Sequence, residues 1–145
     1  MPDYSFIAKC IPLSYNNCKG ARRIAYHTIL RNAFRTFYPT HEATNSTLYG
    51  ALYYFYKVER RLDPDNMSKP FWDSLTGHLF VDDYQIKLRI AAGIQIPTSG
   101  LTTIAFTGMD GAALTALLDA IDSDDHILYA ECGAFNHSMI RFNLH

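Results

Sequence analysis

The stretch YQIKLRI, residues 84–90, alternates strictly between apolar and polar side chains. The apolar positions are Tyr84, Ile86, Leu88 and Ile90, and the polar positions are Gln85, Lys87 and Arg89. Because successive side chains of a strand point to opposite faces of a sheet, this pattern predicts a strand with one buried face. The turn-forming segment 97–100 and the β-prone segment 101–107 predict that this strand continues into a hairpin. The chain must therefore build a sheet.

Other periodic segments add strands and helices to that sheet. Further strands are predicted over residues 4–10, 48–59, 126–132 and 138–144. Helices are predicted over about 20–37, over 66–78 with Asn66 as N-cap and Pro70 in the first turn, and over 112–121. These elements predict an α+β domain with a mixed, mainly antiparallel sheet and two to three helices packed on it.

The length and the absence of special segments predict one soluble domain. A chain of 145 residues suits a single core, and no linker divides it. No apolar run approaches the roughly 18 to 20 residues that cross a bilayer, and the N-terminus lacks a signal-peptide pattern. The three cysteines, Cys10, Cys18 and Cys132, form neither a zinc motif nor a disulfide framework. A cytoplasmic protein without membrane contact is the expectation.

Charge is balanced overall but divided locally. The 13 basic and 14 acidic residues leave a formal net charge of −1, whereas a dedicated duplex-binding protein is usually strongly basic. Basic residues nevertheless gather in the first quarter and just before an acidic motif. The candidate nucleic-acid contacts are Lys19, Arg22, Arg23, Arg60 and Arg61. An ordinary solvated helix face is the alternative for Arg22 and Arg23.

An acidic motif follows the second predicted strand. Pro64 keeps Asp63 out of the helical region, so we expect Asp63 and Asp65 on extended backbone, with their carboxylates on one side. Two or three carboxylates suffice for magnesium, which keeps several waters. A third acid comes from the pair Asp82 and Asp83, of which we choose Asp83. A solvated turn whose acids cap helices is the alternative.

Lys69 lies four residues after Asp65, in the first turn of the predicted helix. Its ammonium would neutralise a phosphate bound at the metal. Together these residues predict metal-assisted phosphodiester hydrolysis, with Lys69 stabilising the extra charge of the transition state. A surface lysine without a catalytic role is the alternative.

The order of these residues resembles a known family. The pattern D-x-D-N-x-x-K-x-x-x-D-x-L, followed by D-D about ten residues later, is similar to that of the RusA family of Holliday-junction resolvases. In this chain the pattern comprises Asp63, Asp65, Asn66, Lys69, Asp73 and Leu75, then Asp82 and Asp83. A weaker resemblance extends over about residues 4–108 and includes the loop Pro12, Ser14, Asn16 and Asn17.

The resemblance implies a homodimeric endonuclease that resolves branched DNA with magnesium, or with manganese in its place. It implies that Asp63, Asp65 and Asp83 hold the metal, that these acids and Lys69 are catalytic, and that Asn66, Asp73 and Asp82 support them. The near-neutral charge departs from the basic members typical of the family. Residues 109–145 have no counterpart and form a C-terminal extension. The alternatives are a nuclease for other structured or single-stranded nucleic acid, and a non-catalytic binding module of the same fold.

Overall fold

The structure is a computed structural model that describes residues 2–58, 61–97 and 111–142. Its strands are β1 (Tyr4–Ala8), β2 (Leu48–Tyr56), β3 (Ile86–Gln95) and β4 (His126–Ala134), and its helices are α1 (Gly20–Phe37), α2 (Pro64–Asp73) and α3 (Gly111–Ser123). The predicted hairpin strand at 101–107 lies outside the described residues. Within them, no helix combines the length and apolar character that crossing a bilayer requires.

The four strands form one mixed sheet in the order β1-β4-β2-β3. β4 pairs antiparallel with β1 and with β2, while β3 pairs parallel with β2. The predicted α+β class, with a mainly antiparallel sheet and three helices, is therefore confirmed. β4 comes from the segment after residue 108 yet lies inside the sheet, so this segment contributes a central strand of the fold.

Helices cover both faces of the sheet. α1 and α2 pack on one face, where Leu52 and Tyr54 of β2 lie in the larger hydrophobic cluster. α3 packs on the other face, where Phe55 of β2 joins a smaller cluster around Leu117. A strand buried on both faces needs an almost unbroken apolar run, which explains the aromatic sequence of β2. Core packing thus accounts for the buried Tyr54, as it does for Trp72 of α2, which is fully buried.

The helix predicted over 66–78 is α2, which extends over Pro64–Asp73 and therefore begins and ends earlier than predicted. Asp63 is the N-cap of α2, and its Oδ1 accepts a hydrogen bond from the Asp65 N–H at 3.1 Å. Pro64 is the first helical residue, where its fixed φ fits and no N–H is required. The predictions that Asn66 caps this helix, that Lys69 and Pro70 lie in its first turn and that Asp65 lies on extended backbone are therefore wrong.

The strict alternation predicted for residues 84–90 is also wrong at its start. Asp83–Gln85 form a turn of 3-10 helix, so β3 begins only at Ile86. Tyr84 is 68% exposed, whereas Gln85 is only 4% exposed. The buried Gln85 amide donates hydrogen bonds to the carbonyl oxygens of Thr44 and Ser46. A buried side chain whose polar groups are satisfied is tolerated, which a binary pattern does not register.

β3 contains one irregularity that matters for the site. Leu48 of β2 lies opposite Ile86, but the next residue, Tyr49, lies opposite Leu88, so the register passes over Lys87. One extra residue on β3 shifts the alternation by one position. Arg89 therefore lies opposite Gly50, on the face of the sheet that α2 covers.

The strand predicted over 138–144 is absent from its described part. Residues His137–Met139 form a 3-10 turn, and Asn136 caps it by accepting a hydrogen bond from the Ser138 N–H at 2.8 Å. Side-chain capping of this kind competes with extended pairing, and a β-prone composition does not reveal it.

Substitution of Gly50 tests whether Trp72 of α2 packs directly on β2. A Cβ at Gly50 would lie 2.7 Å from Cζ2 of Trp72, closer than real contacts allow. We expect Gly50→Ala to lower the free energy of unfolding by about 1–3 kcal/mol, because overpacking forces a buried ring or the backbone to move. Chemical denaturation measures this change.

Gly93→Ala is the matched control on the neighbouring strand. A Cβ there would meet Tyr56 at an ordinary 3.5 Å, so we expect little change in stability. Equal stabilities of the two variants would contradict the packing of Trp72 on Gly50.

Candidate active site and basic grooves

One exposed stripe of α2 carries three residues of the acidic motif. Asp65, Lys69 and Asp73 are four residues apart, so they share one face of the helix. The opposite face is buried through Met67 and Phe71. Because that apolar face fixes the rotation of the helix, the charged stripe must face outward.

Lys69 and Asp83 meet although 14 residues separate them in sequence. The Lys69 Nζ lies 3.4 Å from Oδ2 of Asp83 and 3.2 Å from Oδ1 of Asp73. Asp83 reaches this position from the 3-10 turn before β3. The structure therefore brings together two of the four predicted catalytic residues, with Asp73 beside them.

Arg89, which the alternating pattern assigned to the other face of the sheet, completes this cluster. One Nη2 atom of Arg89 lies 3.2 Å from both the carboxylate Oδ2 and the backbone carbonyl oxygen of Asp83. Strict alternation would have placed Arg89 on the face opposite Ile86, whereas the extra residue in β3 turns it toward α2. The sequence carried no signal for this position except a basic residue six positions after Asp83.

Contacts within the cluster shift the proton affinities of its two acids in opposite directions. Partial burial favours protonation of Asp83, but hydrogen bonds with Asp73, Asp82 and Arg89 outweigh it and lower the pKa of Asp83 to about 2. Burial and the hydrogen bond to Asp83 raise the pKa of Asp73, and Lys69 offsets this only in part. Asp83 is therefore the more acidic of the two carboxyl groups.

Asp63 and Asp65 lie at the N-terminal end of α2 and are exposed. Among the salt bridges of the described residues, none involves either acid, whereas Asp83 is paired with Lys69 and Arg89. Carboxylate oxygens are the donors that magnesium prefers, so the donor chemistry of these acids fits a hard divalent cation. In the described ranges, however, no three or more His, Cys, Asp or Glu side chains gather closely enough to hold a metal ion.

Two supporting residues of the motif shape the backbone. Asp82 caps the 3-10 turn that carries Asp83, and its N–H donates to Oε1 of the buried Gln85 at 2.9 Å. The carbonyl oxygen of Asn66 accepts a hydrogen bond from the Tyr15 N–H at 2.8 Å. In an uninterrupted helix that oxygen would bond to residue 70, but Pro70 has no N–H to donate. Pro70 thus leaves an acceptor that ties the loop before α1 to α2.

Four of the five predicted nucleic-acid contacts surround that loop. Lys19 and Arg23 line a groove of about 440 Å³ that also includes Lys69 and Asp73. A second groove, of about 420 Å³, has five residues of the loop, Asn17 among them, together with Arg22, Arg61 and Leu62 in its lining. Arg60 lies outside the described residues. The grooves concentrate positive charge beside the acidic motif, although the chain as a whole is nearly neutral.

The other basic residues of α1 have structural partners. The Arg31 Nε donates to the carbonyl oxygen of Ser74 at 2.8 Å, and Arg35 donates to the carbonyl oxygens of Tyr38 and His41. These bonds hold the ends of helices and the following loop. Only the N-terminal end of α1 therefore offers its basic side chains to a ligand.

Neither a model of a known protein family nor a curated protein matches this chain. The resemblance to RusA resolvases therefore rests on the ordered motif, and it stays a prediction.

The contact between Arg89 and Asp83 predicts a specific pH response. We expect the Asp83 carboxyl to titrate near pH 2 in the native protein, and Arg89→Met to raise this pKa toward the ordinary value of 3.8. Because the pKa of Asp83 is depressed by folding, its ionised form stabilises the protein above pH 3.8, and this contribution disappears as the pH falls through about 2. Carboxyl carbon NMR titration measures both variants.

Lys87→Met is the matched control, because Lys87 lies on the same strand but over the ring of Tyr84. It should leave the titration of Asp83 unchanged. If both substitutions raised the pKa of Asp83 equally, Arg89 would lower that pKa only through its long-range positive charge and not through its direct contact.

Proposed function

We propose that this protein is a homodimeric, magnesium-dependent endonuclease that cuts branched DNA. The observation that carries the proposal is the cluster in which Lys69 of α2 contacts Asp83 of the turn before β3. In the motif that resembles RusA resolvases, Lys69 belongs to the first block and Asp83 to the pair of acids that ends it. A groove lined by Lys19 and Arg23 opens beside them and supports binding of a phosphate backbone.

In this proposal the acids and the lysine have different tasks. Asp63, Asp65 and Asp83 would supply carboxylate oxygens to magnesium, although among the described residues these three acids do not form a close metal-binding group. When bound, the ion would polarise the phosphoryl group and lower the pKa of water. Lys69 would donate to a phosphate oxygen and stabilise the charge that develops in the transition state. Lys69 now contacts Asp83 and Asp73, so a bound phosphate would take over one of these contacts.

The remaining residues position these groups. Arg89 would hold the Asp83 carboxylate at a fixed orientation through its two contacts, and Asp82 would do so by capping the turn. Each chain carries one such motif. Two copies are required for the paired cuts that resolve a four-way junction, which is the reason for proposing a dimer.

Substitution of Asp65 tests the catalytic assignment. We expect Asp65→Asn to reduce magnesium-dependent nicking of a synthetic four-way junction by at least about 100-fold, because the loss of even an outer partner of a metal ligand costs about 10–100-fold. Gel analysis of cleavage with a labelled junction measures this loss. Circular dichroism should show an unchanged fold, since Asp65 is exposed.

Asp122→Asn is a control that removes one exposed carboxylate from α3, on the other side of the sheet. It should cleave as the parent protein does. Full activity of the Asp65 variant would refute the assignment of Asp65. Parallel cleavage of flap, duplex and single-stranded substrates identifies the preferred structure, and saturable binding without cleavage of any of them would favour a binding module.

A further inference from the structure

The groove beside the acidic cluster combines features of a nucleotide site. Its volume of about 440 Å³ falls within the roughly 300–1,000 Å³ of small-molecule sites. It lies between the loop before α1, the start of α1 and the second half of α2. Its lining includes Tyr15, Lys19, Arg23 and His27, together with Lys69 and Asp73 of α2.

One side of this groove favours an anion. Lys19 is the N-cap of α1 and supplies no side-chain hydrogen bond to the first turn, which contains no acidic residue. Lys19 and Arg23 add two cations where the helix dipole is already positive, an arrangement that destabilises a helix unless an anion binds. Among the salt bridges that the described residues form, none involves either cation.

The other side presents an aromatic ring. Tyr15 is 55% exposed although it lies between two structured elements. Its N–H bond to Asn66 fixes the backbone of the loop against α2, at the acceptor that Pro70 leaves. Within the loop, the N–H groups of Asn17 and Cys18 both donate to the carbonyl oxygen of Ser14 at 3.0 Å. Because the loop is already ordered, stacking a base on its exposed ring costs little additional conformational entropy.

His27 supplies an independent indication of a ligand. It lines the groove and is only 7% exposed, and its Nε2 is buried with no hydrogen-bond partner within the described residues. A buried polar atom without a partner is unfavourable, and a ligand oxygen or base edge would satisfy it. Burial, together with Arg23 and Arg31, lowers the pKa of His27, so the ring is neutral at physiological pH.

We infer that this groove binds a single unpaired nucleotide, with its base stacked on Tyr15 and its phosphate held by Lys19 and Arg23. The inference rests on the proposed nuclease function and specifies its substrate. Lys69 belongs both to the groove and to the acidic cluster, so the bound nucleotide lies next to the phosphate that is cut. Tyr15 can stack only on a base that has left the duplex, so the substrate is DNA with unpaired bases at or near the cut.

Binding measurements without divalent metal separate this inference from catalysis. Fluorescence anisotropy with a labelled oligothymidine and with a duplex of equal length, both in EDTA, compares the two substrates. We expect Tyr15→Ala to weaken oligothymidine binding about 5- to 150-fold, as the loss of one base–aromatic stack does. Duplex binding should stay within about twofold.

Three further variants separate stacking, charge and folding. Tyr15→Phe keeps the ring and should keep the affinity for oligothymidine. Arg23→Ala should weaken binding and reduce its dependence on salt concentration, because one phosphate contact is lost. Lys9→Ala, which removes an exposed cation that pairs with Asp124, should change neither.

The outcomes distinguish failure of the nucleotide site from failure of the proposed nuclease function. If Tyr15→Ala binds oligothymidine as the parent does, or loses duplex affinity equally, the nucleotide site is overturned even if the parent cleaves junctions. If the parent cleaves nothing while Tyr15 and Arg23 still control oligothymidine binding, the site stands as a binding site and the nuclease proposal fails. If both are right, Tyr15→Ala should raise KM for a junction with unpaired bases more than it lowers kcat.

Discussion

The packing of Trp72 on Gly50 is the contact on which the rest of the structure depends. The absence of a side chain at Gly50 lets the indole of α2 lie directly on β2. This contact sets how closely α2 packs on the sheet, and together with the buried Met67 and Phe71 it leaves the stripe of Asp65, Lys69 and Asp73 facing outward. Arg89 lies opposite Gly50 on the neighbouring strand. From there its guanidinium contacts Asp83 beside the charged stripe of α2.

A balance of charge holds the region together. Asp73 and Asp83 would repel each other as neighbouring carboxylates, and Lys69 and Arg89 compensate them. The cluster is therefore nearly neutral, which agrees with the near-zero net charge of the chain. Among the residues that the structure describes, the cations Lys19 and Arg23 at the start of α1 form no salt bridge, so their charge is available to a ligand. A nearly neutral chain can thus still present the local positive charge that the proposed phosphate contacts require.

Much of the fold follows from local patterns. α1 extends over Gly20–Phe37 as the spacing of its apolar residues predicts, and the apolar run of β2 is characteristic of a strand covered on both faces. The failures lie where polar side chains decide the backbone. α2 begins after the N-cap Asp63 and not after Asn66, because Asp63 accepts a hydrogen bond from the N–H of Asp65. The side chain of Gln85 is buried because it donates to a carbonyl oxygen of a distant loop, which reverses the expected alternation of buried and exposed residues. Hydrophobic periodicity does not contain this information.

The sequence by itself predicted the acids and Lys69 of the candidate site, because they stand along one segment in an order that resembles a known motif, but it did not predict Arg89. Tertiary structure alone decided their partners. The extra residue in β3 brings Arg89 to Asp83, and the missing N–H of Pro70 ties the loop with Tyr15 to α2. Such contacts depend on the register of two strands and on an unused backbone acceptor, which exist only once distant segments have packed.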